Sequence, residues 1–513
     1  MSETPATPAE ARREPALELP RGRRAGAGYT VTMRVMAPHD PTLLPRLADV
    51  VSDARGVVTG MDLVDVTTAG ATVDLTLLAI DEDHVDEVAA ALETHTGVRV
   101  RHTSDPTFLY HLGGKIEVTA RTPLRTRQDM TMAYTPGVGR VASAIAARPE
   151  SAWTLTAKGT SVAIVTNGTA VLGLGDIGPL GALPVMEGKS LIFKEFAGVN
   201  AYPLCLDARS ARAVIDATLA IAPGFGGINL EDIAAPACFE VETELQRQLD
   251  VPVFHDDQHG TAIVVSAGLL NACRITGRTF PDVRIVLVGC GAAGTAISTA
   301  LLDAGVTDIA IFDRDGALTP KNGLPHHRAL AERSNPRGIT DLAAALRDAD
   351  VFIGTARRGS VDPDLLKTMA SWPIVFALSN PEPELLPDEA RPDTLLATGR
   401  SDMPNQINNA LCFPGFFRGA LDVRASKVTL AMKQAATRAI ADIVTDEQRA
   451  LGVVVPTMFQ ARLHQAVATA VAEAWIGEHP QARRHEGGVR MPGAGDDLGA
   501  AISPMLGHAG RLR

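Results

Sequence analysis

The stretch VRIVLVGCGAAGTAISTALLDAG, residues 283–305, has the pattern of a buried strand, a glycine turn and a helix. Its glycines Gly289, Gly291 and Gly294 form the pattern GxGxxG. The first permits a tight turn, the second lets the backbone approach a pyrophosphate, and the third lets the helix pack closely on the strand. The N–H groups of the first helical turn, which includes Ala292 and Ala293, then bind the pyrophosphate. The stretch therefore predicts a dinucleotide-binding site.

The next predicted strand, DIAIFD, ends at Asp313. A carboxylate about twenty residues beyond such glycines accepts hydrogen bonds from the ribose hydroxyls of a dinucleotide. Asp313 also repels a 2′-phosphate and so favours NAD, whereas the adjacent Arg314 has the charge to bind that phosphate. We therefore predict a nicotinamide cofactor, with NAD preferred and NADP left open. A Rossmann-like fold for another nucleotide is the alternative.

Four short apolar runs look like buried parallel strands separated by helical stretches. They are VRIVLVG, DIAIFD, VFIGT and PIVFAL. This pattern predicts an α/β fold with a doubly wound Rossmann-like domain at residues 263–478, closed by helices near 427–444 and 461–475. A denser α/β region with glycine-rich turns, residues 105–262, is predicted to be a separate domain. A disordered tail is predicted for residues 1–28 and a flexible one for residues 479–513.

The region between residues 29 and 104 shows a different pattern, with short alternating runs and two amphipathic helices. The order of these elements is βαββαβ. It resembles an ACT domain, a small regulatory fold that binds amino acids and often pairs with itself. A ferredoxin-like packing or dimerisation module without a ligand is the alternative.

Two acidic clusters carry the candidate chemistry. Glu231 and Asp232 are adjacent in GGINLEDIAAP, and VPVFHDDQHGTAIV contains Asp256 and Asp257 between an apolar strand and an apolar helix. Such clusters converge as hard oxygen ligands for Mg²⁺ or Mn²⁺ in open α/β folds. The alternatives are a helix that starts at the first cluster, a plain polar loop at the second, and zinc binding by the histidines of HDDQH.

Several long strings occur together in one order: AYTPGV, GLGDIGPLGALPVMEGKSLIFKEFAG, FHDDQHGT and the glycine motif. They closely resemble the short bacterial malic enzymes, and the match runs from about residue 130 to residue 425. The resemblance implies oxidative decarboxylation of L-malate to pyruvate and CO₂ with reduction of NAD. It also implies a divalent ion, Mg²⁺ or Mn²⁺, in a malic-enzyme catalytic domain.

The resemblance assigns roles residue by residue. It implies metal ligation by Glu231, Asp232 and Asp257, and it places Asp256 beside them in the catalytic group. It implies that Tyr134 and Lys189 are catalytic. Lys194 is an alternative candidate because it lies close to Lys189 in the sequence, but it does not match the family's catalytic lysine. A lysine acts as a base only if its pKa is lowered by burial or by a nearby cation.

Two asparagines complete the set of residues whose roles the resemblance implies. Asn380 in LSNPEPE matches a substrate- and cofactor-contacting residue, and Asn409 in NQINN matches a substrate-contacting one. One departure is also present. Ala170 and Val171 stand where animal-type members carry an arginine for a malate carboxylate, so the cation for the second carboxylate is open.

The composition limits the remaining possibilities. A net charge of −11 argues against a nucleic-acid binder, because phosphate backbones demand basic surfaces. Five scattered cysteines without CxxC pairs and the lack of an apolar membrane-length run favour a cytoplasmic protein. The enzyme class and the ACT-like region predict at least a homodimer and an amino-acid or metabolite effector. Another hydroxy-acid dehydrogenase and a catalytically silent NAD-sensing regulator are the competing functions.

Overall fold

The computed structural model describes residues 29–485 except 39, 41, 68–69, 172, 322–324 and 404. The chain divides into two compact units, Met1–Lys115 and Ile116–Arg513. The predicted tail at 1–28 and most of the one at 479–513 lie outside the described residues. No helix in the described ranges has the length and apolar character needed to cross a membrane.

The first unit contains one antiparallel sheet in the strand order β2-β3-β1-β4. Its βαββαβ element order is the predicted one. A short helix follows the last strand, so that the unit extends beyond the predicted boundary at residue 104. The elements are β1 (Thr30–Ala37), α1 (Leu43–Asp53), β2 (Val57–Thr67), β3 (Gly70–Leu78), α2 (Glu82–Thr96), β4 (Arg99–Ser104) and α3 (Pro106–His111).

The core of the first unit follows from two periodicities. Alternate residues of β1 and β3 are buried, as expected for a sheet covered on one face. Residues at helical spacing on α1 and α2 cover that face. Helix α2 begins at Asp81, whose carboxylate accepts from the N–H of His84, and ends at Gly97 in the left-handed region.

The first part of the second unit contains a four-stranded parallel sheet in the order β6-β5-β7-β8. The chain crosses from one side of β5 to the other between β6 and β7, which creates a crevice at the carboxyl ends of the strands. The elements are α4 (Arg127–Ala133), α5 (Val138–Ala147), α6 (Ala152–Leu155), β5 (Ser161–Thr166), α7 (Gly178–Ala197), β6 (Asn200–Cys205), α8 (Ala211–Ile221), β7 (Gly227–Leu230), α9 (Ala237–Gln248), β8 (Val253–His255) and α10 (Asp256–Thr276).

The second part contains a six-stranded sheet in the order β11-β10-β9-β12-β13-β14, parallel except at β11. All four predicted strands and both predicted C-terminal helices are confirmed. The elements are β9 (Arg284–Val288), α11 (Ala292–Asp303), β10 (Asp308–Asp313), β11 (Gly316–Ala317), α12 (Arg328–Arg333), α13 (Leu342–Leu346), β12 (Val351–Gly354), α14 (Pro363–Leu366), β13 (Ile374–Ala377), β14 (Leu395–Thr398), α15 (Phe413–Asp422), α16 (Leu430–Ile443), α17 (Asp446–Ala450) and α18 (Leu463–Glu478).

Helix α10 joins the two sheets of the second unit. Most of its residues are buried, and one hydrophobic cluster includes Ile164 of β5, Val264 of α10 and Leu287 of β9. The predicted domain boundary at 262/263 falls inside this helix. The two sheets therefore share a core through α10.

Candidate active site

The acids that the sequence singled out follow two neighbouring parallel strands. Glu231 and Asp232 come directly after β7, and Asp256 and Asp257 come directly after β8. Because β7 and β8 are adjacent and parallel, these residues meet at one edge of the sheet. Oxygens of Glu231, Asp232 and Asp257 lie within 4.8 Å of one another, and the N–H of Asp232 donates to Asp257 Oδ2 at 2.8 Å. The first cluster lies in a turn and does not start a helix.

Lys189 reaches this cluster from the middle of α7. Its Nζ lies 2.5 Å from Glu231 Oε2 and 2.5 Å from Asp256 Oδ2, and 4.4 Å from the centre of the Phe413 ring. The side chain is buried. Lys194 on the same helix is exposed and donates instead to Asn200 at 2.8 Å. The structure therefore places Lys189, and not Lys194, among the acids.

Burial and crowding determine the charge state of the cluster. Burial and neighbouring carboxylates raise the pKa of Glu231 to about 7, of Asp232 to about 8 and of Asp257 to about 6. Burial also raises the pKa of Asp256 to about 7. Burial alone would lower the pKa of Lys189, but the surrounding carboxylates outweigh it and raise the pKa. The lowered lysine pKa that a base requires is thus not produced by these side chains alone.

The donor set fits a hard divalent cation. Asp232 Oδ2 is buried and has no hydrogen-bond partner among the described residues, so it is free to ligate. In the described part of the chain, these three acids are the only group of three or more acidic, histidine or cysteine side chains with this spacing. Carboxylate oxygens alone are typical of Mg²⁺ or Mn²⁺. The zinc alternative receives no support, because the group of possible ligands among the described residues contains no histidine, and His259 donates to Glu242.

Both predicted asparagines lie beside glycines of the site. If Gly260 carried a Cβ atom, that atom would lie 1.9 Å from Asp256 Oδ1 and 3.1 Å from Asn409 Cβ. Both residues therefore border Gly260, and Asn409 packs next to the acidic cluster. A Cβ on Gly173, in the glycine-rich loop before α7, would stand 3.6 Å from the backbone of Asn380. Asn380 and Asn409 are half-buried. Both asparagines therefore lie in segments next to the carboxyl ends of the strands.

The glycine turn has the geometry that its sequence predicts. Gly289 has a φ of +105°, and a Cβ there would stand 2.8 Å from the backbone of Thr355, at the end of β12. A Cβ on Gly294 would stand 1.8 Å from the carbonyl oxygen of Gly289. Gly291 caps α11, whose first residues are Ala292 and Ala293. The turn therefore lies where strand order reverses between β9 and β12, and Asp313 is exposed at the end of β10.

Tyr134 is placed differently from the other predicted residues. It follows the last residue of α4, and its side chain is 68% exposed. No hydrogen bond joins its hydroxyl to Lys189 or to another described residue. Helices α4, α5 and α6 contain no buried residue. Within one chain, the structure therefore does not connect Tyr134 to the cluster.

The structure also shows polar residues that the sequence analysis missed. Asn229 of β7 donates to Glu231 Oε2 at 2.9 Å. Glu242 of α9 is buried behind the second acidic cluster. Burial alone would raise its pKa, but the charge of His259 and hydrogen bonds to His255 and His259 lower it. The sequence signals for these roles were the acid Glu242 among apolar residues of a helix and the polar Asn229 inside an apolar strand.

A third missed residue is Glu384, which is buried between the ends of β12 and β13. It accepts from the N–H of Ala356 at 3.1 Å and from the N–H of Ser379 at 3.1 Å. These contacts tie together the ends of β12 and β13, beside the crevice between β9 and β12. Only the position of Glu384 after the polar turn LSNP pointed to such a role.

A glycine turn in a doubly wound sheet, together with a lysine among carboxylates in the same packed unit, defines an α/β dehydrogenase of the dinucleotide-binding class. Residues 258–476 match the family described as "Malic enzyme, NAD binding domain", and residues 113–215 match "Malic enzyme, N-terminal domain". A relative named NAD-dependent malic enzyme from Geobacillus stearothermophilus is 47% identical over 455 residues, which covers 88% of this chain and 95% of the relative. The chain belongs to the malic enzyme family.

Two further matches agree with this assignment. A relative named NADP-dependent malic enzyme from Halomonas elongata is 43% identical, over 72% of this chain and 92% of the relative. The crystal structure of an NAD-dependent malic enzyme from Thermotoga maritima matches with a TM-score of 0.69 and 43% identity, over 72% of this chain and 99% of that one. The protein is accordingly an NAD(P)-linked malic enzyme, an oxidoreductase.

The raised carboxylate pKa values predict how divalent-ion binding depends on pH. These acids take up protons as the pH falls from about 8 to about 6. At the lower pH, an ion must therefore displace protons in order to bind. We expect Mn²⁺ affinity, measured by titration calorimetry without substrate, to weaken as the pH falls from about 8 to about 6. Asp257→Asn should bind Mn²⁺ poorly at both pH values. Equal affinity at both pH values in the unaltered protein would contradict the assignment.

Proposed function

We propose that this malic enzyme oxidises L-malate at C2 and releases C4 as CO₂, giving pyruvate and reduced cofactor, with NAD preferred and a divalent ion required. The observation that carries the proposal is the cluster of Glu231, Asp232 and Asp257 at the edge of the sheet, next to Lys189, which pairs with Glu231 and Asp256.

A Mg²⁺ or Mn²⁺ ion held by Glu231, Asp232 and Asp257 would act as a Lewis acid on substrate oxygen and offset the negative charge around Lys189. With the ion bound, Lys189 in its neutral form would accept the proton of the C2 hydroxyl, and a nicotinamide held at the glycine turn would supply the hydride acceptor for C2. Asp256 holds Nζ in place for that transfer. Loss of CO₂ leaves an enolate, and protonation at C3 by the Tyr134 hydroxyl yields pyruvate.

The role of Lys189 is tested by its replacement with alanine. We expect kcat to fall by about 10²- to 10⁴-fold, as is typical for removal of a general base, while NAD affinity stays unchanged. Steady-state kinetics and NAD titration measure the two quantities. Lys194→Ala is the matched control on the same helix and should keep nearly normal turnover. A loss of NAD affinity with preserved kcat would contradict the role.

The preference for NAD rests on Asp313, since the relatives include both NAD- and NADP-dependent enzymes. Removing its charge in Asp313→Ser should raise the NADP-to-NAD ratio of kcat/KM by about tenfold, which corresponds to ~1.4 kcal/mol. Asp315→Ser, two residues away and also exposed, is the control. An unchanged ratio in the Asp313 variant would assign the preference to another residue.

We also propose that the enzyme is a homo-oligomer, at least a dimer. Residues 116–155, here called the arm, carry Tyr134 and expose an apolar set to solvent. Short helices without a buried face are not stable alone in water, so a second copy is proposed to cover the arm. Five arginines against three acids in residues 116–150 also complement the acidic cluster. The exposed apolar residues are Ile116, Val118, Leu124, Met130, Met132, Val138, Val141 and Leu155.

The arm proposal predicts that charge on its apolar surface breaks the assembly. Met132→Glu should lower the mass measured by light scattering, whereas Leu451→Glu, at another exposed apolar position, should not. Mixed oligomers of inactive Tyr134→Phe and Lys189→Ala chains should regain activity if the arm of one copy completes the site of another. Unaltered protein that is monomeric at all concentrations would overturn the proposal.

For the first unit, we propose an ACT-like regulatory role with an amino-acid or metabolite effector. The βαββαβ order and the antiparallel sheet with helices on one face support it.

A cytoplasmic location is likewise proposed, supported by the five cysteines, which are all free thiols.

A further inference from the structure

Helix α10 presents Asp256 and Asp257 in its first turn, yet this helix has no side-chain cap of its own. Its N-cap residue is His255, and the His255 side chain makes no capping hydrogen bond. A helix start that is not held by a cap tends to fray. Another group must therefore hold the turn in place.

Glu242 of α9 supplies that group from behind the turn. Its carboxylate accepts from the backbone N–H of His255 at 3.0 Å, from Gln258 Nε2 at 3.3 Å and from His259 Nε2 at 3.0 Å. The three donors flank the two aspartates on both sides in sequence. Gln246, one turn further along α9, also donates to Glu242, at 3.2 Å. One carboxylate thus contacts both ends of the turn that carries the acids.

The charge of Glu242 is balanced away from the acidic cluster. Its side chain is almost fully buried, where an unpaired carboxylate is costly. Lys433 of α16 lies with Nζ 3.3 Å from His259 Nδ1. Because an ammonium group only donates, Nδ1 is the acceptor and the imidazole proton lies on Nε2, where it is donated to Glu242. The chain from Glu242 through His259 to Lys433 therefore links α9, α10 and α16.

We infer that Glu242 is a positioning residue for the divalent-ion site. It touches neither the three candidate ligands nor Lys189 by any hydrogen bond or ion pair among the described residues. It acts by fixing the turn from which Asp256 faces Lys189 and Asp257 faces Asp232. The inference rests on the proposed function, since it takes the acidic cluster to be the site of the ion.

The test compares Glu242→Gln and Glu242→Ala with the unaltered full-length chain. Glutamine keeps the volume and one acceptor but removes the charge that holds His259, and alanine removes all the contacts. We expect the dissociation constant for Mn²⁺, measured by calorimetry without substrate, to rise by about 10- to 100-fold, as for other residues that orient metal ligands. The NAD dissociation constant should stay unchanged, because the glycine turn is not altered. kcat should fall with the Mn²⁺ affinity.

Glu244→Gln is the matched control, because Glu244 lies on the same helix but is paired at the surface with Arg247 at 2.7 Å. It should keep normal Mn²⁺ affinity. Normal Mn²⁺ affinity in both Glu242 variants overturns the positioning role, and so does an equal loss of Mn²⁺ and NAD binding in the glutamine variant, which indicates general unfolding. If the unaltered chain neither binds Mn²⁺ nor oxidises malate, the proposed function itself fails, and the inference fails with it.

Discussion

The first part of the second unit depends on the buried ammonium group of Lys189. Four carboxylates meet at the edge of the four-stranded sheet, and burial raises the pKa of each. Such a cluster is stable only with positive charge inside it. Lys189 provides that charge through its contacts with Glu231 and Asp256. These contacts join α7, β7 and α10, and the aromatic ring of Phe413 closes over the same atom.

The polarity of parallel strands explains why the acidic cluster and the glycine turn both lie at the ends of strands. In both sheets of the second unit, the acids and the glycine turn follow the carboxyl ends of strands, where a change in strand order opens a crevice. Helix α10 packs into the core of both sheets, so the acidic cluster at its start and the glycine turn after β9 belong to one packed body. Buried polar residues such as Glu242 and Glu384 then hold the strand and helix ends in register.

Much of the fold was predictable because short-range patterns encode it. The alternating and apolar runs placed the strands of the first unit and the four main strands of the six-stranded sheet, and the glycine spacing placed the turn at Gly289. Domain boundaries were less predictable, since a boundary depends on packing between distant segments. The expected division at 262/263 falls inside α10 for that reason. The exposed position of Tyr134 had no local signal either, because its sequence is that of an ordinary turn.

The sequence by itself determined which chemical groups are present and, by resemblance, the reaction to expect from them. It also placed the acids after strands, because strand ends are visible as changes in hydrophobic pattern. Only the tertiary structure decided how those groups are charged and held. Lys189 and Asp256 are 67 residues apart in the chain, and their contact raises the pKa of the lysine where burial alone would lower it. Electrostatic energies depend on distance in space and on burial, and neither quantity can be read from neighbouring residues.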